Sequence, residues 1–330
     1  MSLAPEHSLY ERVVQLLEEA RAAVVRRVNH GMVLAYFEIG RMIVEEEQAG
    51  QARANYGQFL MKELSSTLSQ KFGKGFSVRN LEQMRQFYLV YSKAQTTSAE
   101  FTLSWSHYLK LMRMTDPAER NFYEIEARQN NWSLTELQRQ YDAALYTRLA
   151  LSRNTDQIRQ LAQQGQIIGT PRDVIKDPYI LEFLGLPEQA AYSESELETA
   201  LINKLEHFLL ELGKGFTFVA RQHRITFDEK HFRVDLVFYN RLLRAFVLID
   251  LKIGELKHQD LGQMQMYVNY YDRFMRVEGE NKTVGIILCR DKNDMLVEIT
   301  LPEDNTQIFA SQYLTVLPSK EDLKALLQRP

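Results

Sequence analysis

Between Phe216 and Cys289 the chain changes its hydrophobic period, and that change narrows the folds open to it. Phe216 to Phe227, Phe232 to Asn240 and Ala245 to Ile253 are rich in Phe, Val, Ile and Tyr and are separated by short polar turns, so they read as consecutive antiparallel strands. A helix follows, roughly His258 to Phe274. The apolar run Val284 to Cys289 then suits a buried strand reached by a crossover. Ahead of the strands an amphipathic helix begins around Ser195, with Leu197, Leu201, Leu205, Phe208 and Leu212 on one face, and ends at Gly213-Lys214-Gly215. The order α-β-β-β-α-β predicts a mixed sheet flanked by helices. Strand-like stretches at Met295 to Leu301 and Tyr313 to Leu317, and a capped helix from Ser319, complete this half.

The preceding half keeps one period throughout. From Ser8 to about Arg148 apolar residues recur at helical spacing, as in Val13, Leu16, Leu17 and Ala20, then Met32, Ala35, Tyr36, Ile39 and Ile43. Asn29-His30-Gly31 is expected to break the first pair of helices, and Ser77 to cap a helix over Val78 to Ser92. Asp116-Pro117-Ala118-Glu119 and Ser133-Leu134-Thr135-Glu136 have the form of N-caps with an acid in the first turn. An α+β chain of two domains follows: an all-α domain over 1–150, a linker region over 151–190 where the sequence turns polar and then carries Gly169-Thr170-Pro171 and Asp177-Pro178, and a second domain over 191–330. With 330 residues, 45% of them hydrophobic, the chain is long enough for two cores.

Other features restrict the class. No run of eighteen apolar residues is present to span a bilayer, and Met1 to Tyr10 lacks a signal-peptide pattern, so no membrane partner and a cytoplasmic location are expected. The single cysteine, Cys289, lies in an apolar run and reads as a core thiol. Gly-Lys-Gly-Phe occurs at Gly73 and again at Gly213, but neither copy has phosphate-loop spacing. The net charge of −3 offers no global case for nucleic-acid binding. Locally, Lys71, Lys74, Arg79, Arg85 and Lys93 stand against only Glu82, a stretch that reads equally as a phosphate-contacting helix or a solvated face.

Two carboxylates interrupt otherwise apolar strands. Asp235 lies within Val234-Asp235-Leu236-Val237-Phe238-Tyr239, and Asp250 and Lys252 share one face of Phe246-Val247-Leu248-Ile249-Asp250-Leu251-Lys252. If Asn240 pairs with Ala245, antiparallel register sets Asp235 opposite Asp250. Two such charges about 5 Å apart repel by roughly 3 kcal/mol at an effective dielectric of about 20. A hard divalent cation with oxygen ligands relieves that repulsion, and Mg²⁺ suits phosphate chemistry because it takes only one or two carboxylates and keeps its waters. Lys252 alone, neutralising the pair without chemistry, is the other reading of the same spacing.

The next helix carries Gln263 and Tyr267 one turn apart. An acid on a first helix, Asp on the second strand, Asp-x-Lys on the third and Gln-x-x-x-Tyr on the following helix resemble the PD-(D/E)XK nucleases, in the branch sharing the Gln/Tyr signature with RecB-type enzymes. The string Phe232 to Arg273 is similar to YhcG-type bacterial proteins, and so are Val28-Asn29-His30, Phe76-Ser77-Val78-Arg79-Asn80-Leu81, Leu103-Ser104-Trp105-Ser106-His107-Tyr108 and Arg120-Asn121-Phe122-Tyr123. The resemblance implies a restriction-endonuclease-like αβββαβ domain and a winged-helix or helix-turn-helix-like N-terminal domain. It implies Asp235 and Asp250 as metal ligands, with the Leu251 carbonyl a further one, and Lys252 as the group that orients water and stabilises charge on the phosphate. Gln263 would position Lys252 or substrate, Tyr267 would contact substrate, and Glu198 rather than Glu206 would supply the first-helix acid. The family's proline before the first Asp is Val234 here.

The function expected is Mg²⁺-dependent hydrolysis of DNA phosphodiesters, with Mn²⁺ able to substitute, in restriction, defence, repair or recombination. Lys74, Arg79 and Arg85 are the expected phosphate contacts, and a homodimer or a protein partner in a DNA-processing or defence system is compatible. Two alternatives share the fold: an inactive DNA-binding or assembly protein, and a branched-junction resolvase acting as a symmetric dimer.

Overall fold

A computed structural model describes residues 9–49, 56–92, 101–151, 155–186, 192–227 and 229–317. The chain divides into two compact units, residues 1–138 and 139–330. Among the described residues no helix is long and apolar enough to cross a membrane.

The first unit is helical, with no strand among its described residues. Its elements are α1 (Leu9–Ala49), α2 (Tyr56–Phe72), α3 (Val78–Tyr91), α4 (Trp105–Leu111), α5 (Pro117–Gln129) and the start of α6 (Leu134–Asp142). The caps read from sequence form as hydrogen bonds: Ser77 Oγ accepts from Asn80 N, Asp116 Oδ1 from Ala118 N, and Ser133 Oγ from Glu136 N. The break expected at Asn29-His30-Gly31 is absent, and α1 continues through it. A glycine inside a helix costs only about 1 kcal/mol relative to alanine, too little to end one unaided. The bundle is pinned where α1 meets α3, since a Cβ on Gly40 would lie 2.1 Å from the Met84 carbonyl oxygen. Phe87 of α3 anchors an aromatic cluster, its ring centroid 4.9 Å from that of Phe101 and 5.3 Å from that of Trp105. A tight 3₁₀ turn, Lys74–Phe76, joins α2 to α3 in helix-turn-helix order.

The second unit contains α7 (Leu145–Leu151), α8 (Thr155–Gln164), β1 (Tyr179–Ile180), α9 (Glu194–Asn203), α10 (Leu205–Leu212), β2 (Phe216–Phe227), β3 (Lys230–Asn240), β4 (Ala245–Glu255), α11 (His258–Tyr270), β5 (Val284–Asp291), α12 (Asp294–Thr300) and β6 (Ile308–Leu314). The six strands form one mixed sheet in the order β1-β6-β5-β4-β3-β2, antiparallel across β2-β3-β4 and parallel from β4 to β1. From α9 to β5 the order is α-β-β-β-α-β, as the period change predicts. Two local readings differ. The amphipathic helix is divided at Lys204 into α9 and α10. Met295 to Leu301 is helical, because Asn293 accepts from Leu296 N and nucleates a turn that outweighs the β-branched content. The terminal helix expected from Ser319 lies outside the described residues.

Alternating strand residues feed two cores. On one side Leu197, Leu201, Phe208 and Leu212 pack on Leu236, Phe238, Val247, Ile249 and Leu251. On the other, Leu261, Met264, Tyr267 and Val268 pack on Val237, Leu248, Ile287 and Cys289. Gly285 lets α11 approach the sheet closely, since a Cβ there would meet Met264 Sδ at 2.5 Å. Residues 171–186, polar in their neighbourhood, nonetheless bury Val174, Tyr179, Ile180 and Leu181. A charge cluster ties them to α10: the fully buried Glu211 accepts from Arg148 at 2.8 Å and from Ile180 N at 3.1 Å. Burial alone would raise the Glu211 carboxyl, but the charges of Arg148, Lys176 and Arg139 outweigh it and hold the group down at about 2.

Candidate active site

The β3–β4 ladder runs from Asn240 opposite Ala245 to Leu236 opposite Ile249, the register anticipated from the turn. It stops one residue short of Asp235 and Asp250. There the Asp235 side chain takes over from the backbone, with Oδ2 accepting the Leu251 N–H at 2.8 Å. The carboxylate is thereby held against β4 by a charge-assisted bond.

Asp250 is only 2% exposed, and its Oδ2 lies 2.8 Å from Lys252 Nζ. Burial, and then the negative charge of Asp235, push the Asp250 carboxyl up to about 7 although Lys252 opposes the shift. Lys252 responds in the opposite sense. Burial works against its charge, yet Asp250 at contact distance outweighs this and raises the ammonium to about 12. A second acid, Glu194 at the start of α9, has Oε2 3.9 Å from the same nitrogen. Lys252 is therefore a fixed cation, whereas Asp250 is a carboxyl whose negative charge is incompletely compensated.

Glu198 on α9 reaches the same point. Its Oε2 accepts from Gln222 Nε2 at 2.5 Å, and that amide nitrogen also donates to Asp235 Oδ1 at 2.9 Å. Arg221 Nε lies 3.3 Å from Glu198 Oε1. Burial raises the Glu198 carboxyl, against the opposing effects of Gln222 and Arg221. Glu206, the other acid weighed for this place, is exposed on α10.

Gln222 and Arg221 escape a reading of the sequence for a definite reason. The β2–β3 register shifts by one between Phe218 and Ala220. Beyond this bulge Arg221 pairs with Leu236 and His223 with Val234, which sets Gln222 level with Asp235; an uninterrupted ladder would have set Arg221 there. Gln222 also has a φ of 47°, a left-handed backbone that a non-glycine residue rarely adopts inside a strand. A lone Gln among strand residues carries no other signal.

Behind the acids, Gln263 donates to the Tyr267 hydroxyl, which in turn donates to the Arg233 carbonyl at 2.8 Å. Tyr267 is fully buried, and burial raises its phenol. The pair thus reaches β3 through its backbone, two residues from Asp235. The basic residues Lys74 and Arg79 are exposed within the helical unit, and Arg85 is engaged by Glu47 at 2.6 Å. Lys93 lies outside the described residues.

The donor set fits a hard divalent ion. Its atoms are carboxylate oxygens, one of them on a buried acid raised to about 7, and the Gln222 amide already places a hydrogen-bond donor between two carboxylates. Among the described residues no group of three or more His, Cys, Asp and Glu side chains converges as a ready-made cage.

Residues 172–328 match the family model described as the YhcG PDDEXK nuclease domain, and residues 12–148 match the DUF1016 N-terminal domain. YhcG of Escherichia coli (strain K12) is 38% identical over an alignment of 351 positions, covering 97% of this chain and 93% of that protein. Among solved structures, a repair endonuclease from Pyrococcus abyssi is similar at 20% identity over 39% of this chain and 50% of its own, with a TM-score of 0.26. EndoMS in a complex with double-stranded DNA is similar at 18% identity over 40% and 49%, again with a TM-score of 0.26.

Proposed function

Since the chain belongs to the YhcG family of PDDEXK nucleases, we propose that it is a DNA endonuclease whose catalytic residues are Asp235, Asp250 and Lys252, working with a divalent cation, Mg²⁺ or in its place Mn²⁺. The observation that carries this reading is that Asp235, Asp250 and Lys252 lie where the β3–β4 ladder ends, with Glu198 linked to Asp235 through the Gln222 amide. Asp235 and Asp250 would hold the cation, with the Leu251 carbonyl as a further ligand. When bound, the cation supplies Lewis-acid polarisation of the phosphate and acidifies nearby water.

The chain's own groups do the rest. The Leu251 N–H and the Gln222 amide fix the Asp235 carboxylate before substrate arrives, so little reorganisation is needed as charge develops. Asp250 keeps Lys252 protonated and aimed, and the ammonium orients the attacking water and stabilises charge on the phosphate oxygens. Glu198, linked to Asp235 by Gln222, is the first-helix acid and bears on the same cation site. Gln263 and Tyr267 act as positioning residues through the Arg233 carbonyl, which supports the strand that carries Asp235. The helical domain, residues 1–150, docks on DNA phosphates through Lys74 and Arg79, with Arg85 a lesser contact because Glu47 already engages it. The segment 151–190 lies between it and residues 191–330, and its strand β1 joins the sheet of the nuclease domain.

Cleavage of linear, nicked, branched and modified DNAs, with and without Mg²⁺ or Mn²⁺, compared between the natural chain and Lys252→Ala, tests the reading. Metal-dependent cutting that falls by at least about 10²-fold in the variant is expected. Cutting that persists without metal, or that Lys252→Ala leaves unchanged, overturns it.

A further inference from the structure

The hairpin of β2 and β3 extends past the strand beside it. β4 pairs with β3 only as far as Leu236 opposite Ile249; beyond that point β4 continues with β5, and β3 continues with β2. Past Asp235 the hairpin is therefore a two-stranded ribbon, in which Arg224 lies opposite Arg233, Ile225 opposite Phe232 and Thr226 opposite His231.

One face of this ribbon is occupied. Ile225, Phe232 and Val234 pack into the core shared with α11, and the Tyr271 hydroxyl bonds His223 Nδ1 at 2.8 Å. Successive strand residues point to opposite faces, so Arg224, Thr226, His231 and Arg233 turn away from that core, toward the side of the sheet on which α9 packs. All four are exposed. Like charges directly opposite each other, with Cβ atoms about 5 Å apart, destabilise a ladder. Among the described residues no carboxylate pairs with either arginine. The polar partner of Arg224 is the His231 ring, whose nitrogens lie 2.7 and 3.0 Å from Nη2, and Thr226 Oγ1 meets the same ring at 3.0 Å. Arg221, by contrast, is engaged by Glu198 at 3.3 Å.

Two guanidinium groups set side by side on an exposed face call for an anion, and each presents a planar fork of donors matched to phosphate oxygens. Their position identifies the anion. Arg224 and Arg233 lie two residues beyond Gln222 and Asp235, about 7 Å along the ribbon, and Thr226 and His231 lie about 7 Å further. We propose that Arg224 and Arg233 together bind a backbone phosphate of DNA next to the one that is cleaved, with Thr226 and His231 contacting the same backbone further out. The ribbon is then a phosphate track leading away from the acids, and it reads no base sequence because it touches only the backbone. The placement rests on Asp235, Asp250 and Lys252 being the cleavage site.

Anisotropy of a fluorescent DNA duplex titrated with the full-length chain, across a salt series in EDTA, tests the track without cutting. Arg224→Ala and Arg233→Ala should each flatten the slope of log K against log salt by about 0.9, and the double variant by about 1.8. Arg224→Lys keeps the charge and should keep the natural slope. Arg241→Ala removes an exposed cation from the turn at the other end of β3 and should leave the slope unchanged. With Mg²⁺ present, the two alanine variants should raise KM and leave kcat close to the natural value. Natural slopes in both alanine variants, or an equal loss from Arg241→Ala, overturn the proposal. A natural chain that cuts no DNA yet shows these slope changes sinks the nuclease reading and keeps the ribbon as a DNA contact. One that cuts, with ribbon variants matching its slope, does the reverse.

Discussion

The carboxylate of Asp235 accepts the backbone N–H of Leu251 at 2.8 Å, at the point where the β3–β4 ladder ends. One side chain thus has two tasks, closing the ladder and facing the candidate metal position. The tasks are separable. Asp235→Ala leaves a buried N–H without its acceptor and should cost about 1–3 kcal/mol in denaturant unfolding. Asp235→Asn keeps a neutral acceptor, so it should lose less stability while losing Mg²⁺ binding by calorimetry. Equal destabilisation by the two variants would show that the Leu251 bond contributes nothing.

Gln222 lies between two carboxylates, and replacing it by glutamate substitutes a third acid for a shared donor. In EDTA, Gln222→Glu should melt below the natural chain, and Mg²⁺ should raise its Tm by more than it raises the natural chain's. Gln222→Ala serves as the neutral comparison. An unchanged Tm in EDTA for the glutamate variant would mean that the amide is not holding the acids apart.

Asp250 must lose its proton to bind a cation, and its carboxyl is raised to about 7 by burial and by Asp235. The sign of the pH effect follows. A carboxyl raised above its ordinary value stabilises the metal-free fold below that value, and this contribution is lost as pH rises through about 7. Cation binding runs the other way, strengthening as pH rises through the same range. The Tm increase given by Mg²⁺ should therefore grow between pH 6 and pH 8. Calorimetry at pH 6.5 in buffers of different ionisation enthalpy should register proton release, and a binding enthalpy independent of the buffer would contradict the assignment.

Within the helical unit, Lys74 and Arg79 are exposed whereas Arg85 is engaged by Glu47 at 2.6 Å. Arg79→Ala and Lys74→Ala should each weaken DNA binding across all sequences and flatten the slope of log K against log salt by about 0.9. Arg85→Ala should change the slope less. Fluorescence anisotropy across a salt series measures this, and equal slopes for all three variants and the natural chain would remove the helical unit from the interface.

Several of these relationships are visible in the chain before it folds. The α-β-β-β-α-β order was legible because strand and helix impose different hydrophobic periods, and Asp235, Asp250 and Lys252 stand out because charge is costly in an apolar strand. Helix caps were legible because they depend on residues within one turn. The continuity of α1 through Gly31 and the helical form of α12 were not, since each depends on the balance of small local preferences against packing. Nor did the polar stretch 151–190 reveal that Val174, Tyr179, Ile180 and Leu181 enter the core, because Glu211, Arg148 and Ile180 meet across distant segments.

The sequence by itself determined the class of fold, the register of β4 on β3 through its short turn, and the pair of acids with a lysine two residues on, all of which are set by local periodicity and short-range spacing. Tertiary structure alone decided which residue faces Asp235 from the neighbouring strand. One extra residue at the bulge near Val219 moves Arg221 aside and brings in Gln222. Such an insertion leaves no mark on composition or period, yet it exchanges a cation for an amide between two carboxylates.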